Sequence, residues 1–231
     1  MVNHEVRAVY LDCDGVATLD AAGSESTFRY IHRAAKLADI SMTFEELYAN
    51  YSDADGKKRF MHPLERGEVV HADIWDAFCE KAGVELHIKL LDAAFRSTPM
   101  NEPMLYVAQK VKDAGYTVGM ITDNPGDRMA ALADQYGLLT LFNPMVISAD
   151  PDVGTLKKEA EAKQYNAAAE RSGVAKENSL FIDNSSGNVE AANANGMPAI
   201  LFDDSQLRTA ALNRREVARI EAELRRRGMN F

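Results

Sequence analysis

The chain has 231 residues, 46% of them hydrophobic, and a formal net charge of −9. That length allows one large domain or a core domain with a smaller one, and the acidic balance argues against broad nucleic-acid binding, which needs Lys and Arg to neutralise phosphates. No apolar run approaches the roughly 20 residues of a membrane-spanning helix. The start, Met1-Val2-Asn3-His4-Glu5, lacks the basic and then apolar character of a secretory signal, and the two cysteines, Cys13 and Cys79, suggest no disulfide framework. A soluble, cytoplasmic protein that binds neither nucleic acid nor membrane is the expectation; the sequence leaves its oligomeric state open.

Residues 5–12 read as a buried strand that runs straight into Asp12-Cys13-Asp14-Gly15. Residues two apart in a strand share a side, so both carboxylates are expected together at the strand's mouth, with Cys13 turned the other way into packing. Two carboxylates so placed repel each other unless a cation or a shared proton compensates. The pair therefore asks for a metal, an acid/base pair, or both.

From residue 24 to 97 the pattern is helical, with helices expected over 24–40, 43–51, 71–82 and 85–95. Within this block, Asp53-Ala54-Asp55-Gly56 repeats the letters of the first acidic pair, but no apolar strand precedes it and it reads as a turn. Lys57, Lys58, Arg59 and His62 would meet the distal groups of a substrate or form a solvated basic turn. His71 reads as a surface or helix-start residue. Tyr51, Phe60, Trp75 and Phe78 read as core of the helical block rather than a ligand platform.

A helix over 101–114 follows, with Leu105, Ala108 and Val111 on one face, Pro103 in its first turn and Gly115 as a stop. Strands then alternate with helices: strands over 117–122, 145–148, 179–183 and 199–202, and helices near 127–136, 156–172, 188–195 and 205–212. A last helix over 214–227 carries Val217, Ile220 and Leu224 on one face, with a basic, solvated face opposite. The alternation implies an α/β fold, a parallel sheet with helices on both faces. The helical block interrupts it just after the first strand and reads as a cap over the sheet's carboxyl edge. The expected division is a Rossmann-like core of residues 1–16 and 98–231 with an inserted α-helical cap of residues 17–97.

Three more strand ends carry polar groups. Thr122-Asp123-Asn124 follows one apolar run and Asp183-Asn184 another, and between them lies the stretch from Ser148 to Lys158. In a parallel sheet these ends gather on one edge, where ligands of open α/β sheets bind.

In these residues the chain resembles the haloacid dehalogenase-like hydrolase superfamily. Asp12-Cys13-Asp14-Gly15-Val16 is similar to the DxDG motif of its phosphatase branch. Thr122 resembles the second motif, the lysine after Val153-Gly154 the third, and Asp183-Asn184-Ser185 with Asn188 and Ala191-Ala192 the fourth. The insertion after the first motif resembles the helical-cap subgroup, which includes sugar-phosphate and phosphoglycolate phosphatases. Glu65-Arg66-Gly67-Glu68-Val69, before a helix with Trp75 and Phe78, is similar to that subgroup as well.

The resemblance implies a Mg²⁺-dependent phosphohydrolase acting on a small phosphorylated metabolite through an aspartyl-phosphate intermediate. Asp12 would attack phosphorus, while Asp14 would protonate the leaving alcohol and then deprotonate the incoming water. Thr122 and Lys157 would hold the transferring phosphoryl, with Asp123 beside them as a substrate-binding residue. Mg²⁺ would take the Asp12 side chain, the Asp14 carbonyl and Asp183, with Asn184 offering an amide oxygen where the subgroup often has a second acid. In the third motif Lys158 stands where proline is usual, and Tyr165 comes two residues late. Spacing from Gly154 favours Lys157; a small insertion would favour Lys158. Asn188 would orient a ligand, support another side chain, or cap its helix. A phosphosugar mutase and a non-catalytic binding module with the same fold are the alternatives. A dehalogenase is disfavoured because that branch lacks the second aspartate.

Overall fold

The computed structural model describes residues 5–20, 25–37, 43–52, 61–159 and 163–231. The elements are β1 (Ala8–Leu11), α1 (Glu25–Leu37), α2 (Phe44–Ser52), α3 (Met61–Glu65), α4 (His71–Ala82), α5 (Lys89–Arg96), α6 (Glu102–Asp113), β2 (Thr117–Thr122), α7 (Gly126–Tyr136), α8 (Leu138–Leu141), β3 (Met145–Ile147), α9 (Lys163–Ser172), β4 (Ser179–Asp183), α10 (Ser186–Ala194), β5 (Ala199–Leu201) and α11 (Ala210–Arg226). The strands form one parallel sheet in the order β3-β2-β1-β4-β5.

β1 is central and buried along its whole length, which is why it reads as a continuous apolar run rather than an alternating one. Val9 and Leu11 pack with Met104 and Val111 of α6, Met129 and Leu132 of α7, and Val217, Ile220 and Leu224 of α11. Ala8 and Tyr10 face the other layer, with Tyr165 and Ala168 of α9 and Ala192 of α10. The Tyr10 hydroxyl donates to the Ala168 carbonyl at 3.0 Å and meets the Ser172 hydroxyl at 2.8 Å. Tyr10 pairs in register with Gly119. A Cβ on Gly119 would lie 2.5 Å from the Tyr10 ring and 2.7 Å from the Pro144 carbonyl oxygen, so only glycine leaves room for that ring.

The helices α1–α5 bury a second apolar cluster, including Phe28, Ile31, Leu47, Leu64, Trp75, Phe78, Leu91 and Phe95, and Ala131 of α7 joins it. Two chain passages lead into and out of this block, and they pair with each other. Thr18 bridges Met100, the Leu19 N–H donates to Pro99 at 2.8 Å, and the Asn101 N–H donates to Ala17 at 2.9 Å. The Asn101 side chain donates to the Val16 carbonyl at 2.8 Å and accepts from Asn213 of α11 at 2.8 Å.

Several boundaries differ from the sequence reading, each for a local reason. β1 is shorter than 5–12. The helix expected over 156–172 is helical from Lys163. Before it, residues 156–159 form a turn: the Leu156 N–H donates to the Glu159 carboxylate at 3.0 Å, the Glu159 N–H to the Leu156 carbonyl at 2.9 Å, and the Lys157 N–H to Asp123 at 3.1 Å, which ties this stretch to the end of β2. The helix expected over 205–212 is a short 3₁₀ turn, Asp204–Arg208, held by the Asp203 side chain. Thr209 is then extended, and its hydroxyl caps Leu212, so α11 begins at Ala210 instead of 214. The helix expected over 85–95 begins at Lys89, and the short helices α3 and α8 lack the length for a periodic signal. His71 does open α4, but it is buried rather than on the surface, donating from Nδ1 to Asp127 at 2.8 Å and packing edge-on against Phe95. Asp53-Ala54-Asp55-Gly56, Lys57, Lys58, Arg59 and Phe60 lie outside the described residues, as does the side chain of Tyr51. Trp75 and Phe78 are buried in the helical cluster, their rings 5.3 Å apart.

Candidate active site

The sheet's pairing decides which strand ends meet. β1 and β4 are neighbours with Leu11 opposite Ile182, so the next residues, Asp12 and Asp183, lie side by side at the carboxyl edge. β2 flanks β1 on its other side and brings Thr122 and Asp123 to the same edge. After Asp12 the chain winds back tightly: Gly15 takes φ 76° and the Thr18 N–H donates to the Cys13 carbonyl at 2.8 Å. A left-handed residue there is natural for glycine. The turn buries Cys13 in the core and carries Asp14 back over the edge.

Lys157 joins two of the strand ends. Its ammonium lies 2.8 Å from Asp12 Oδ1 and 2.7 Å from Asp183 Oδ2, with all three side chains buried. Burial alone would favour a neutral lysine, but Asp12, Asp183 and Asp123 outweigh it and hold the ammonium charged. Asp12 is pushed up to about 8, first by burial and next by the repulsion of Asp183; Lys157 works in the opposite direction and Asp14 adds a smaller push. Lys158, the sequence alternative, is exposed, its side chain lying over Gly187.

Asp183 also accepts from the Ser185 N–H at 2.7 Å and from Asn188 Nδ2 at 2.9 Å. Asn188 therefore supports a carboxylate from within α10 rather than capping that helix; its Oδ1 is buried with no hydrogen-bond partner among the described residues. Asn184 donates through Nδ2 to Asp204 at 2.7 Å. The Asp123 carboxylate faces the Lys157 N–H and Gln164 Nε2 (2.6 Å), which makes it a clasp for the Lys157 loop; burial raises its pKa.

Asp14 points to a different set of partners. Arg128, with no exposed surface, donates to both of its oxygens at 2.8 and 2.9 Å. Asn124 Nδ2 reaches Asp14 at 3.1 Å and the Thr122 hydroxyl at 2.7 Å, Arg128 donates to Asn124 Oδ1, and the Thr18 hydroxyl lies 3.3 Å from Asp14. Burial opposes the charge on Arg128, but Asp14 prevails and holds it more firmly protonated than usual.

Sequence reasoning missed Arg128 and the role of Asn124. The available cue was position: Asn124 follows the end of β2, two residues before α7 begins, and Arg128 lies in the first turn of that helix. In the helical block Glu65 is buried, and Arg66 pairs with Glu159 of the Lys157 loop. Gly67 sits so close to that side that a Cβ would come 2.4 Å from the Ala149 oxygen. The helical block thus touches the core beside the lysine.

Residues 6–196 match the family model described as haloacid dehalogenase-like hydrolase, and the chain belongs to that family. A search of curated proteins gave no match. Solved structures with the same fold include a wild-type HAD family enzyme from Bacteroides thetaiotaomicron in complex with magnesium and inorganic phosphate (19% identity, TM-score 0.61, 85% of this chain and 93% of that one). A predicted HAD-like family hydrolase from Porphyromonas gingivalis is similar at 20% identity and TM-score 0.62, over 85% of this chain and 90% of its own. A defluorinating L-2-haloacid dehalogenase shares 15% identity at TM-score 0.65, over 95% of each chain. At such identities these structures speak to fold alone.

Proposed function

We propose that the chain is a Mg²⁺-dependent phosphomonoester hydrolase acting on a small phosphorylated metabolite, such as a sugar phosphate or a phosphoglycolate-like compound. The observation that carries this reading is Lys157 held between Asp12 and Asp183 at the mouth of the sheet, with Asp14 and the Thr122 hydroxyl at the same edge. A dehalogenase would not need a second carboxylate at position 14, still less one held on two sides by a buried arginine.

Phosphoryl transfer is mostly positioning and charge stabilisation. Asp12 attacks phosphorus and becomes the aspartyl phosphate. Asp14 gives a proton to the leaving alcohol and takes one from the water that cleaves the intermediate. The Thr122 hydroxyl and the Lys157 ammonium hold the equatorial oxygens. The donor set for the metal is all oxygen: the Asp12 and Asp183 carboxylates, the Asp14 carbonyl and the Asn184 amide oxygen. Few carboxylates plus water suit Mg²⁺, and Asp12, Asp14, Asp123 and Asp183 against Lys157 and Arg128 leave room for a divalent charge. When bound, Mg²⁺ supplies charge neutralisation for the phosphoryl oxygens. A bound magnesium and inorganic phosphate in the Bacteroides structure support the same reading.

Residues 17–97 serve as the cap, joined to the core of residues 1–16 and 98–231 by the two paired passages, and cap closure over the edge excludes water. The experiment is phosphate release from a panel of phosphomonoesters, with Mg²⁺ or EDTA, by wild type and Asp12→Asn. The expected outcome is release that needs both the metal and Asp12. Release that persists in Asp12→Asn would remove Asp12 as nucleophile, and isomerised product without phosphate release would mean a mutase.

A further inference from the structure

Among the described residues Arg128 is the largest of the fully buried side chains, and it reaches two groups of the site. It donates to both oxygens of Asp14 and to Asn124 Oδ1. A guanidinium has donors only, so the Asn124 amide must turn its oxygen toward Arg128. That choice fixes the other end of the amide: its NH₂ faces Thr122 Oγ1 at 2.7 Å and Asp14 Oδ2 at 3.1 Å. A flipped amide would set N–H against N–H. Thr122 therefore accepts from Asn124, and the single hydrogen of its hydroxyl is left for another acceptor.

We propose that Arg128 is a positioning residue that acts through Asn124 and Asp14, aligning the Thr122 hydroxyl as a donor to the phosphoryl group and holding the Asp14 carboxylate in one plane. The inference rests on the phosphatase reading above. The polarity runs in one direction, from Arg128 to Asn124 to Thr122 and on to the ligand. The bidentate fork sets the Asp14 plane with a geometry that a lysine cannot reproduce. Stability does not explain the pair. A buried ion pair is often no better than apolar residues of similar volume, and Arg128 Nε is buried with no hydrogen-bond partner among the described residues. What the arginine supplies is orientation.

The test compares wild type, Arg128→Met, Arg128→Lys, Thr122→Val and the Arg128→Met/Thr122→Val double variant on two Mg²⁺-supported substrates. One is an alkyl phosphate, whose leaving group needs a proton; the other is p-nitrophenyl phosphate, whose leaving group does not. The expected result is a kcat loss of about 10²–10³ on the alkyl ester for Arg128→Met, the scale of lost acid–base assistance, with a clearly smaller loss on the aryl ester. Arg128→Lys, which keeps the charge and lacks the fork, recovers little. The double variant is expected to be about as slow as the worse single one, because residues in one network are non-additive. Melting temperatures separate these effects from misfolding, and Arg128→Lys carries the test if Arg128→Met does not fold. Equal losses on both esters, or losses that multiply in the double variant, overturn the positioning role while leaving the phosphatase reading intact. A wild type silent on every phosphomonoester overturns both.

Discussion

At Asp12 the fold holds a carboxylate where an isolated one would be unstable. Its pKa of about 8 in the folded chain against 3.8 for the free group means that the folded state binds the extra proton between those values. The sign follows: stability from this group is present at low pH and lost as pH rises from about 4 to about 8. In EDTA, Asp12→Asn is therefore expected to melt higher than wild type at pH 8, by a few degrees for about 1 kcal/mol, and to lose that advantage by pH 5. Calorimetry at the two pH values checks this; an Asn variant that melts lower at pH 8 would mean that the Lys157 contact outweighs the repulsion. A buried carboxylate that costs stability is a trade between site and scaffold. Thr122 and Asp183 were legible in the sequence because each ends an apolar strand, and Lys157 because of its distance from Gly154. Arg128 was not: a charge inside an amphipathic helix reads as solvated until the sheet shows what it faces.

Among the elements, the strands were read closely and the loops less so. Thr117–Thr122 and Ser179–Asp183 stand where the apolar runs predict them, since burial on both faces leaves little freedom. The start of α9 was overrun because helix periodicity cannot register a long-range tie, here Asp123 holding the Lys157 backbone at the end of β2. Gly119 shows a different limit. Glycine in a strand is ordinarily a weakness, yet here it makes space for Tyr10. Gly119→Ala places a methyl against the ring and the Pro144 carbonyl, an overpacking expected to cost about 1–3 kcal/mol. Urea titration should show a lower midpoint with an unchanged slope. A midpoint equal to wild type would mean that the Tyr10 ring moves aside without cost.

On the scale of the whole molecule, the family match ends at residue 196, but the folded unit does not. α11 closes one face of the sheet with Val217, Ile220 and Leu224, all buried. The arginines near its end pair with Glu221 and Glu223. The apolar spacing announced the stripe; what lay beneath it was not readable, because the sheet it covers is assembled from residues far away in sequence. Ile220→Ala, with no exposed surface at that position, is expected to destabilise the entire fold by about 2–5 kcal/mol. The loss should appear as a single cooperative transition by both fluorescence and circular dichroism; separate transitions would show that α11 is peripheral. Among the described residues no helix is long and apolar enough to cross a membrane.

The clasp at Asn101 sets the mechanics of the helical block. Two chain passages bonded edge to edge, and fastened through one asparagine to Val16 and through another to α11, form a double-stranded ribbon instead of two loose tethers. A ribbon bends across its flat face but resists twisting and sideways shear. The block is thus tied to the core by one double connection, and the pairs Arg66–Glu159 and His71–Asp127 hold it to the same core at two further points.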